Sequence, residues 1–241
     1  MVHIHLLTAD GSMPVSIAEP ADGTSIKGAV IVLQEAFGVV DYIENLCTRL
    51  ASEGYLAMAP ALYHRIGSPT FGYDDFTPIR PAMGSFTKEG IAEDLDACHN
   101  FLMGRGYTPA QTAAVGFCMG GAVTLFAGTR LELGAAVTFY GGGVAVGRFG
   151  FVPGIEMAPG LQTPWLGLYG DLDLSIPIDE VEQLRVAAAT ASVPTEVVRY
   201  ADGDHGFHCP DRPSVYNESA ATDAWARMLA WFEAHITNAT H

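Results

Sequence analysis

Residues 116–121 read G-F-C-M-G-G. Cys118 has Gly116 two residues before it and Gly120 two residues after, with an apolar run at 112–116 and helical spacing over 119–128. The pattern predicts a sharp strand-to-helix turn with a nucleophile at its apex. The glycines fit because backbones at such a turn approach too closely for a Cβ. The following helix start directs free N–H groups and the positive end of its dipole at the sulfur, which favours a thiolate. The N–H of Met119 would form half of an oxyanion hole. The competing reading is a small buried cysteine at a glycine-rich turn.

A nucleophile needs a base, and the base needs an orienting carboxylate. Downstream, Gly170-Asp171-Leu172-Asp173 follows one apolar run, and Asp202-Gly203-Asp204-His205-Gly206 follows another. His205, between glycines in a loop, is poor core material, and His208 is its rival. Asp171 and Asp173 are both candidates for the acid, and both could instead cap the next helix. Upstream, Glu35 ends the wholly apolar run 28–34. A carboxylate there is either poorly solvated, with a raised pKa, or paired. It could stand beside the thiol, with the N–H of Ala36 as the second oxyanion donor, or be a buried glutamate satisfied by backbone amides.

These residues need strands to carry them. Two short strands joined at Asp10-Gly11 open the chain. Continuous apolar runs at 28–34, 55–59, 112–116, 134–140, 164–169 and 195–200 predict buried strands. Helical spacing covers 41–53, 87–105, 119–128, 177–191 and 213–236. The alternation predicts an α/β fold, a mostly parallel sheet with helices on both faces. With no repeat, low-complexity tract or linker, residues 1–241 read as a single domain. The irregular stretches 62–86 and 141–163 follow strand ends, where sites of open α/β sheets lie, so they are expected to border the site.

Composition sets limits. The chain has 12 Lys and Arg against 27 Asp and Glu, a formal charge of −15. That excess argues against nucleic acid and against anionic membrane surfaces, and an anionic substrate would need a local arginine. No stretch has the length of a membrane span or the form of a signal peptide. The four cysteines are widely spaced and include no CxxC, so the expectation is a reducing cytoplasm and no metal or cofactor. Asn217-Glu-Ser219 and Asn238-Ala-Thr240 match the glycosylation pattern but carry no weight without a secretion signal. The acidic surface fits a monomer or weak oligomer.

With these pieces placed, the chain resembles the dienelactone hydrolase (carboxymethylenebutenolidase) family of α/β-hydrolases. The resemblance runs through Q-E-A-F-G-V at 34–39, A-P-A-L-Y-H-R at 59–65, G-F-C-M-G-G at 116–121, G-D-L-D-L-S-I-P at 170–177 and the H-G-F that starts at His205. It implies an α/β-hydrolase fold and a carboxylic ester hydrolase with Cys118 as nucleophile, His205 as base and Asp173 as its orienter. It implies Glu35 as a carboxylate partnering the thiol until substrate arrives. It also implies small lactone or ester substrates, carboxylate-bearing in the family. A broad carboxylesterase or thioesterase with the same triad, or a non-catalytic member binding a small carboxylate, are the alternatives. Phe37 and Tyr140 are expected to contact substrate. The family arginine four residues after the histidine is Cys209 here, which leaves Arg212, Arg80 and Arg65 as candidates for a substrate carboxylate.

Overall fold

The strand that leads to Glu35 and the strand that leads to Cys118 lie side by side in the computed structural model, which describes residues 1–237. The second glycosylation pattern, at 238–240, lies outside the described residues. In chain order the elements are β1 (Val2–Thr8), β2 (Gly11–Ala18), β3 (Gly28–Leu33), α1 (Asp41–Ser52), β4 (Tyr55–Pro60), α2 (Ile79–Met83) and α3 (Lys88–Gly104). Then come β5 (Thr112–Phe117), α4 (Met119–Arg130), β6 (Ala135–Phe139), α5 (Gly154–Met157), β7 (Trp165–Gly170), α6 (Ile178–Ala188), β8 (Thr195–Tyr200) and α7 (Glu218–His235).

The eight strands form one sheet in the order β1-β2-β4-β3-β5-β6-β7-β8. β1 pairs antiparallel with β2, and β2 antiparallel with β4, while β3 to β8 run parallel. The apolar runs are strands because both of their faces are covered. Along β3, Val30 and Val32 enter the core under α1 and α7, while Ala29, Ile31 and Leu33 enter the core under α3 and α4. Each large aliphatic side chain buried this way contributes about 1.5–3 kcal/mol.

Connections leave β3 and β5 toward opposite edges of the sheet, which makes this the switch point where open α/β sheets open a crevice. In register, Leu33 lies opposite Gly116, and Phe117 opposite Phe139. The residues just beyond, Glu35, Cys118 and Tyr140, therefore gather at one carboxyl edge.

The predicted elements form, with three differences. The last helix starts at Glu218, five residues after the expected Pro213. The Asn217 side chain accepts from the Ala220 N–H and caps it there, because a capping oxygen outweighs the tolerance of a first turn for proline. The stretch 62–86 contains α2, and 141–163 contains α5, both too short to show a period in sequence. Among the described residues, no helix is long and apolar enough to cross a membrane.

Candidate active site

Cys118 sits between β5 and α4 at φ 54° and ψ −112°, a conformation that costs a non-glycine residue about 1–3 kcal/mol. The surroundings enforce it. The Cys118 N–H donates to the Phe139 carbonyl at 3.0 Å, and the Gly120 N–H to the Gln34 carbonyl at 3.0 Å. A Cβ at Gly116 would come within 2.0 Å of the Gly120 carbonyl oxygen, and one at Gly120 within 2.3 Å of the Leu33 carbonyl oxygen. The glycines thus let α4 start directly against the ends of β3 and β5, with the partly buried thiol at the apex.

His205 follows β8 and Asp173 follows β7. His205 Nε2 lies 3.0 Å from Cys118 Sγ, and His205 Nδ1 lies 2.6 Å from Asp173 Oδ2. The other Asp173 oxygen accepts from the Ser175 N–H at 2.8 Å and the Ser175 hydroxyl at 2.6 Å. Burial pushes the Asp173 carboxyl up, but His205 and Ser175 outweigh it and hold the group below the usual carboxylate range. Burial likewise pulls His205 down, yet its neighbours Cys118 and Asp173, each within hydrogen-bond reach, raise it to about 10. The site therefore favours the imidazolium form of His205.

The rivals are engaged elsewhere. Asp171 accepts from Arg199 Nε and Nη2, at 2.7 and 2.8 Å, in a bidentate pair that ties β7 to β8. His208 is buried, with Nδ1 2.6 Å from the Tyr42 hydroxyl and its ring stacked on Trp225; burial, aided by Arg49, lowers it to about 3.

Glu35 departs from expectation. It was expected to partner the thiol, but the sulfur's partner is His205, and among the described residues neither Glu35 carboxyl oxygen has a hydrogen-bond partner. The group is fully buried. Desolvation raises its pKa, and Arg212, His205 and Tyr140 only partly oppose the rise. The Met119 N–H opens α4 without an intrahelical acceptor, and the Ala36 N–H donates to no backbone or side-chain acceptor. The Tyr63 hydroxyl joins these two residues: it donates to the Ala36 carbonyl at 3.0 Å and contacts Met119 Sδ at 3.7 Å.

A cavity of about 110 Å³ opens beside the sulfur, lined by Cys118, His205, Ser175, Met83, Phe149 and Arg148, among others. It is smaller than the ~150 Å³ cavity that accepts benzene, so it suits a small acyl group.

The other expected substrate contacts lie outside this cavity. Phe37 and Tyr140 are buried beneath the site: Tyr140 packs 5.3 Å from the His205 ring, and Phe37 lies against Tyr73 and Phe76. Arg65 is held by Asp10, Glu93 and Asp94 at 2.6, 3.5 and 2.8 Å, because three carboxylates surround its guanidinium. Arg80 is exposed on α2, and it is Met83 from that helix that reaches the cavity. Arg212 stacks 5.5 Å from the Phe37 ring and against Gly206, where a Cβ would come within 2.1 Å of its Nη1. The sequence reading missed Ser175, Tyr63 and Arg148. The D-x-S spacing of an Asx turn signalled the first. The other two had no sequence signal, because only the folded loops bring them to the site.

Comparison with known proteins gives the family. The sequence profile of the dienelactone hydrolase family matches residues 13–236. A Salmonella typhimurium protein named "Putative carboxymethylenebutenolidase" is 38% identical over 222 residues, 91% of this chain and 82% of its own. A Rhodococcus opacus carboxymethylenebutenolidase is 27% identical over 236 residues, 94% of this chain and 89% of its own. The crystal structure of a "Putative Dienelactone Hydrolase" from Klebsiella pneumoniae superposes with a TM-score of 0.87 at 37% identity, covering 96% of this chain and 97% of that one. An α/β-hydrolase sheet with a cysteine at its elbow, matched by this profile over nearly its whole length, makes the chain a hydrolase belonging to the dienelactone hydrolase family.

Proposed function

We propose that this hydrolase opens a small lactone or ester through a Cys118–His205–Asp173 triad and a thioacyl intermediate. One observation carries the reading: Nε2 of His205 lies 3.0 Å from a sulfur held at a strained apex, and Nδ1 lies 2.6 Å from a buried carboxylate.

His205 Nε2 takes the thiol proton as Cys118 Sγ adds to the carbonyl carbon, and the carbonyl oxygen becomes an oxyanion facing the Met119 and Ala36 N–H groups. Collapse breaks the C–O bond, and the departing oxygen takes the proton from His205 Nε2. In a lactone that oxygen stays attached to the acyl chain. His205 then takes a proton from water, the resulting hydroxide adds to the thioester, and the thiolate leaves as the acid forms. Asp173 keeps the imidazole in one tautomer throughout. Burial disfavours charge on Glu35, which lessens its repulsion of the oxyanion.

The test is a panel of p-nitrophenyl esters and lactones, with intact-protein mass spectrometry after brief exposure to a slow ester. Cys118→Ala should lower turnover at least about a thousandfold and abolish the acyl adduct. Wild-type turnover in that variant would overturn the nucleophile.

A further inference from the structure

Phe149 lines the cavity beside Cys118 and His205, together with Met83, Met119 and Ala122. Its backbone sits at φ 58°, in the left-handed region that a bulky side chain rarely adopts. Among the described residues, the other non-glycine positions with positive φ are Ser68, Cys118 and Tyr140. Cys118 is the elbow, and Tyr140 packs 5.3 Å from the His205 ring. Strain of this kind gathers where a site needs a side chain in one place. Glycine would take this backbone at 149 without strain, as Gly150 does at φ 79°. What the position gains from phenylalanine is the ring.

That ring is fastened to two separate loops. It packs edge-on 5.4 Å from Phe86, which stacks 4.9 Å from Tyr63, so one contact is with the 62–86 stretch. It also packs edge-on 6.2 Å from Phe151, which stacks 4.4 Å from Phe126 of α4. The Phe151 N–H donates to the Arg148 carbonyl at 2.8 Å and closes the turn between them. A Cβ at Gly147 would come within 2.0 Å of the Phe151 carbonyl oxygen, so the turn stays tight only around glycine. A ring held this way does not swing aside for a longer chain. Met83, at the end of α2, brings a flexible thioether to the same cavity. The space they bound is about 110 Å³, and against fixed apolar walls one methylene changes kcat/KM about 10–200-fold.

We propose that Phe149 sets the length of acyl chain this hydrolase accepts, with Met83 as the softer second wall. The inference rests on Cys118 being the nucleophile, since only then does the cavity beside its sulfur hold the acyl group. Phe149 determines specificity and takes no part in bond breaking.

The test is a series of p-nitrophenyl esters from acetate to hexanoate, using the full chain. Cys118-dependent hydrolysis of the acetate tests the nucleophile separately; if it is absent, that reading fails and the present one falls with it. With hydrolysis present, wild type should prefer acetate to hexanoate. Phe149→Ala should raise the hexanoate-to-acetate ratio of kcat/KM at least about tenfold, the low end of what one methylene is worth in a fitted pocket. Phe149→Gly should do the same while keeping the left-handed backbone free of a Cβ, so it carries the test if the alanine variant melts too low to assay. Met83→Ala should move the ratio the same way by less, and Phe149→Trp should move it the opposite way. A merely structural ring would lower turnover of all the esters alike. A ratio unmoved by Phe149→Ala or Phe149→Gly, no wild-type preference for acetate, or a rise in Phe149→Trp would each overturn the proposal.

Discussion

Two carboxyl groups stand at carboxyl ends of this sheet, Asp173 after β7 and Glu35 after β3, both almost wholly shielded from water at 3% and 0% exposure. Each Asp173 oxygen is occupied, by His205 on one side and Ser175 on the other. Among the described residues, neither Glu35 oxygen has a partner. Burial acts the same way on both, yet Asp173 is held below the ordinary range and Glu35 above it. Hydrogen bonds to the charged form decide the difference. One carboxyl has its charge stabilised, and the other has its charge disfavoured.

The contrast can be broken most sharply at Asp173. Asp173→Asn should lower kcat by about 10³–10⁴-fold, because an amide cannot hold the imidazole in the required tautomer. Asp171→Asn should leave kcat within a few fold, since Asp171 serves the Arg199 pair. The reverse outcome in a steady-state assay would move the acid by two positions.

Glu35 should show the opposite sign in a melting experiment. Asp173, with a lowered folded pKa, contributes stability above its unfolded value, and this is lost as pH falls through the lowered one. Glu35 has a raised folded pKa, so the unfolded chain gives up that proton first. Its ionisation therefore costs stability as pH rises from the unfolded value toward the raised one, and the cost is constant above that. Glu35→Gln should raise Tm by roughly 2–6 °C at pH 8, about 1–2 kcal/mol for a chain of this size. The gain at pH 4.5 should be clearly smaller. An equal gain at both values would show that the carboxyl is not strained by its charge.

The smallest expected effect comes from Ser175→Ala, which removes one of the hydroxyl bonds that distinguish Asp173 from Glu35. Turnover should fall about 3–10-fold, the worth of one hydrogen bond to a charged group partly replaced by the remaining N–H. A loss as large as that of Asp173→Asn would make Ser175 a full member of the catalytic set.

Much of this was legible in the sequence, for local reasons. Strands buried on both faces appear as unbroken apolar runs, so β3, β5 and β7 and the residues at their ends could be placed by eye. The steric demand on Gly116 and Gly120 is local too, and it marked Cys118. What was not legible depends on contacts across the fold. Arg65 and Arg148 are both loop arginines in sequence. Only the packed structure surrounds the first with carboxylates and sets the second at the cavity. Arg212 was a candidate for a substrate carboxylate and lies on the Glu35 side, because a seven-residue separation from His205 does not fix which way a loop turns. The contact between Glu35 and the thiol was expected from resemblance, whereas the sulfur is taken up by His205.

Tyr63 lies outside the proposed reaction path, yet its hydroxyl spans the residues that follow β3 and β5. On the proposed reading, the two oxyanion donors come from segments far apart in sequence, and this one phenol holds their spacing. The cost of aligning them is then met once, while the chain folds, and not again at each turnover. A residue that never touches substrate would in this way set how much of the barrier remains for the chemistry.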